Sequence, residues 1–268
     1  GHTVKASKAT PIDVAATLPL VLAAADSVTT LRELTAVGAA VFGSSAGPWG
    51  VSAQEQGRVA LQISSALDRV VGGPNATVSP QVAAMALAAA ETVMAASPGE
   101  ADTQTAIQNV LSLAASVVAA AKPSSGIAGA ALSLFAAGIA LPKGVKGKSK
   151  IAEQCAAGVE SVMLSQVSAH VQGQQPEQIT VNSAAGLLSV TGSRTSPSAL
   201  SKAPLQAPHP SSAAFSFPAQ TSTTGILAGS MDLNVILAFY SAGLSPHPLP
   251  TTGLNAVRSA SSQSAGAS

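Results

Sequence analysis

Met231–Pro250 reads MDLNVILAFYSAGLSPHPLP. Leu233–Tyr240 is apolar at odd and even positions alike and rich in β-branched and aromatic residues, the pattern of a strand buried on both faces. Pro246, Pro248 and Pro250 end it abruptly, because proline cannot continue a ladder. Such a strand belongs in the middle of a sheet, so the rest of that sheet has to be found upstream.

Working back from it, short strand-like runs begin only at Ile179. Ile179–Val181 and Leu187–Thr191 flank the turn sequence Asn-Ser-Ala-Ala-Gly, and Phe215 and Phe217 alternate about Ser216 with period two. Residues 173–268 are therefore expected to form a partial antiparallel β-sandwich with Pro/Ser-rich loops, in which Phe215–Phe217 pairs with Val235–Tyr240. Four short strands do not close a sandwich comfortably. The sheet reads as unfinished. Ser259–Ser268, SASSQSAGAS, fits a linker or a weak strand lacking its partner.

Residues 1–172 read as an alanine-rich helical subdomain, giving an α+β fold class. Thr10-Pro11 with Asp13 signals a first helix. A second is expected over Val28–Phe42. Ser52 and Glu55 form a capping box ahead of Val59, Ile63, Leu67 and Val71, the spacing of one buried face. Ser79-Pro80 opens another helix and Asp102 is expected to cap the next. Pro123–Pro142, PSSGIAGAALSLFAAGIALP, is uncharged and nearly long enough to span a membrane. It consists mostly of glycine, alanine and serine, and the expectation is a helix buried on all sides. Lys143–Lys150, KGVKGKSK, reads as an exposed loop, and a last helix is expected over Ser149–Val171.

Composition narrows the chemistry. Of 268 residues only 3% are aromatic and 9% charged, and the formal net charge is +1. A core of small side chains buries little area per residue, and no strong field favours nucleic acid or an anionic surface. The lone Cys155 sits on a helical pattern and reads as a buried hydrophobe. His2, His170, His209 and His247 have no carboxylate or cysteine at metal-ligand spacing. There is no G-x-S-x-G elbow, P-loop or G-x-G-x-x-G. No catalytic residue, cofactor or metal is expected, and the protein reads as no enzyme. The N-terminal GHTVKASKAT lacks a signal-peptide pattern, and the chain is read as a piece of something longer. Asn75-Ala76-Thr77, in the turn GGPNATVSP, is an N-glycosylation acceptor, and the Ser/Pro-rich stretch Ser193–Ser212 fits an extracellular loop.

The order of these segments resembles a known family. ISSALDRVVGGPNATVSPQVAAMALAAAETVMAA resembles the helical region of the receptor-for-egg-jelly (REJ) module, which leads into the GAIN domain of polycystin-like and adhesion-receptor ectodomains. LSQVSAHVQGQQPEQITVNSAAGLLSVTGSR is similar to that family's passage from its last helix into its first strands. AAFSFP and VILAFYSAGLSPHPLPTTGLNAVRSASSQS resemble later strands and the turn between them. The resemblance covers roughly residues 30–268 and departs in detail: Ser245 stands where asparagine is usual, and GQQP replaces a more acidic turn.

The resemblance implies that the helices form subdomain A and that Leu233–Tyr240 belongs to a subdomain B continued beyond this chain. The family's autoproteolytic site carries cysteines, tryptophans and a His-Leu step before Thr or Ser. None of this chain's residues matches it. The function implied is a non-enzymatic extracellular structural and adhesion ectodomain at the cell surface, the ciliary membrane included. It would act by protein–protein contact and mechanical transmission. Its partners would be other extracellular proteins or copies of itself, with a membrane anchor elsewhere in the parent protein and no nucleic acid. Two alternatives are a self-assembling extracellular coat or filament protein and a hydrolase of unrecognised type.

Overall fold

The computed structural model describes residues 27–42, 51–71, 78–97, 99–120, 124–141, 145–183, 186–196, 199, 205–211, 214–215, 233–241, 244 and 246. Among them lie six helices: α1 (Ser27–Phe42), α2 (Ala53–Val71), α3 (Pro80–Val93), α4 (Ala101–Ala120), α5 (Ser125–Ile139) and α6 (Lys148–Ser168). Five strands follow: β1 (Glu177–Ser183), β2 (Gly186–Thr195), β3 (Leu205–Gln206), β4 (Ala214–Phe215) and β5 (Leu233–Tyr240). The class is α+β.

Local signals account for the helix starts. Ser52 Oγ accepts the Glu55 amide at 3.2 Å ahead of α2, and Ser79 Oγ accepts the Val82 amide at 3.3 Å ahead of α3, with Pro80 in the first turn. Each satisfies a backbone donor that the helix itself leaves open. Asp102 is no cap. It lies inside the first turn of α4, where its charge favours the positive end of the helix, and Gln104 N already bonds to Glu100 O. The helix around Val14–Val21 falls outside the described residues.

Helix pairing is close because the contacting side chains are small. α2 packs along α4, α1 along α3, and α3 and α6 both against α5. Ala60, Ala86, Ala106 and Ala131 are wholly buried between them. α5 is the most enclosed helix, with Phe135 and Leu132 in its core, and none of the helices searched is long and apolar enough to cross a membrane. Polar ties bind the helical layer. Gln56 Oε1 accepts both the amide and the hydroxyl of Ser97 (3.1 and 2.8 Å), and Ser133 donates to Glu91 at 2.8 Å.

The described strands form two sheets, an antiparallel one ordered β1-β2-β5 and a two-stranded one pairing β3 with β4. One expectation is corrected here. Phe215 pairs with Leu205 and not with Val235–Tyr240, while Phe217 lies outside the described residues. Among the described strands the central one is β2, with β5 beside it. The β1–β2 hairpin fixes this order, because β2 spends one edge on β1 and leaves the other to β5. Leu188, Val190 and Gly192 of β2 face the helices, while Ser189 and Ser193 are buried on the other face. Serine at alternate positions is what hid a doubly buried strand from a hydropathy reading.

The sheet lies on the helical layer. α5 packs against β1, and α6 against β2 and β5. Leu188, Val190 and Leu244 join the same hydrophobic core as the helices. Gly192 makes the approach possible: a side chain there would run into Val167 and stand 3.0 Å from Met163 Cε.

Candidate functional site

A polar cluster stands where α6 passes into the sheet. α6 ends at Ser168, earlier than the expected Val171, and the chain turns through Val171–Gln174 with Gly173 at φ 79°. A left-handed residue lets the chain double back within four positions. The Gly173 amide donates to Arg194 O at 3.2 Å and the Gln174 amide to Val171 O at 3.0 Å. This turn brings His170 Nε2 to 3.1 Å from Glu177 Oε2 at the start of β1.

Arg194, on β2, completes the corner. Its Nη1 donates to the carbonyls of Ser168 and His170, each at 3.4 Å. These oxygens lie at the negative end of α6, where a guanidinium is favoured both as a donor and as a charge. His170 is mostly enclosed, and its Nδ1 is buried without a hydrogen-bond partner. The sequence treats His170 as lacking a carboxylate at a ligand spacing. The structure supplies Glu177, seven residues on, across a turn whose Gly173 was the one signal that could have found it.

This corner fastens a helix to a sheet. The Ser168 hydroxyl, at the end of α6, donates to Ser165 O at 2.9 Å. Among the described residues no three His, Cys, Asp or Glu side chains gather as a metal site would require.

A second polar group lies on the opposite face of the sheet. Ser189, wholly buried, is bonded by Thr180 Oγ1 at 2.8 Å and Gln178 Nε2 at 3.0 Å. Cross-strand hydroxyl pairs of this kind fix register. Thr191 Oγ1, on the same face, is buried without a partner.

The remaining sequence candidates separate. Cys155 is buried beside Gly138, and burial pushes its thiol up to about 12. That is the environment of an inert core residue. His209 is exposed, while Asn75, His2 and His247 lie outside the described residues. The basic stretch is less of a loop than its composition suggests. Lys148 and Lys150 begin α6, Val145 is buried, and the Lys148 ammonium donates to Leu141 O.

No protein-family model, curated protein or solved structure matches the chain.

Proposed function

We propose that this chain is a non-enzymatic structural and adhesion module of an extracellular, cell-surface protein, of the REJ/GAIN kind that the order of its segments resembles. It works by holding shape and passing contact forces between a helical layer and a sheet. The observation that carries this reading is the fastened corner. His170, Glu177 and Arg194 bind the end of α6 to β1 and β2. A helical layer leading straight into an antiparallel sheet, with β2 buried on both faces, is what subdomain A followed by the start of subdomain B requires. The pairing of β4 with β3 instead of β5 counts against the detailed correspondence.

Protease shaving of intact cells of the native source, followed by peptide mass spectrometry, tests the location. Peptides such as those spanning Ile151–Arg194 are expected in the released fraction, with glycosidase-sensitive mass at Asn75. Recovery only from the intracellular soluble fraction would overturn the reading.

A further inference from the structure

We draw no further inference here: the strongest candidate, the His170–Glu177 pair at the corner between α6 and β1, where His170 Nδ1 is buried without a hydrogen-bond partner, belongs to the fastening site already described, and among the described residues no third ligating side chain joins it.

Discussion

Gly158 of α6 lies against the ring of Phe135 on α5: a methyl group at Gly158 would stand 2.5 Å from Phe135 Cζ and 2.6 Å from Cε1. The ring is enclosed and cannot retreat. Gly158→Ala improves helix propensity by up to ~1 kcal/mol, but overpacking a filled core costs ~1–3 kcal/mol. Net destabilisation of about 1 kcal/mol is expected in urea unfolding. The double variant with Phe135→Leu should recover part of it, since the two residues share one contact.

Gly192 plays the same part between sheet and helix. Gly192→Val would force β2 away from Val167 and Met163. Amide exchange should then accelerate across β1, β2 and β5 while the helical far-UV signal persists. Equal loss of both signals would show that the sheet and the helices unfold only together.

Two buried acids make stability depend on alkaline pH. Burial pushes Cys155 from its ordinary 9.0 up to about 12. Tyr240 rises from 10.0 to about 12, mainly through burial and then through the nearby Cys155 and Glu160 charges. Both folded values are raised, so the native state keeps protons that the unfolded chain releases. The contribution is complete below pH 9 and fades as pH climbs toward 12, by up to ~1.4 kcal/mol per pH unit for each group. Chemical unfolding from pH 8 to 11 should show the decline, and Cys155→Ala should flatten its first part. At pH 8 the native thiol should resist alkylation and react only after unfolding.

Arg194→Met removes the donor to the Ser168 and His170 carbonyls while keeping much of the side-chain bulk. A loss of about 1–3 kcal/mol is expected, as for hydrogen bonds from a charged group. Faster amide exchange should appear first over Val167–Gly173. A variant as stable as the parent would show that the corner is held by backbone contacts alone.

Much of this fold was legible in the residues. Capping serines, the periodicity of Val59, Ile63 and Leu67, and the Asn182–Gly186 turn placed α2, α3 and the β1–β2 hairpin close to where they lie. Strand order was not legible. Hydropathy picked out β5, because Leu and Ile announce burial, while β2, central among the described strands, hides its own behind Ser189 and Ser193. The His170–Glu177 contact was invisible for another reason. A spacing of seven residues carries no signal until a turn folds it back, and only Gly173 hinted at that turn.

The strand order also fixes how the sheet would carry load. The chain enters at Glu177, which pairs with Gly192, and leaves at Tyr240, which pairs with Leu188 at the far end of β2. Pulling those two points apart drags β1 and β5 in opposite directions along β2. The ladder bonds are then sheared together, where peeling would break them one after another. An extensible linker would be wired the other way round; this arrangement belongs to a part that stays stiff until it fails at once.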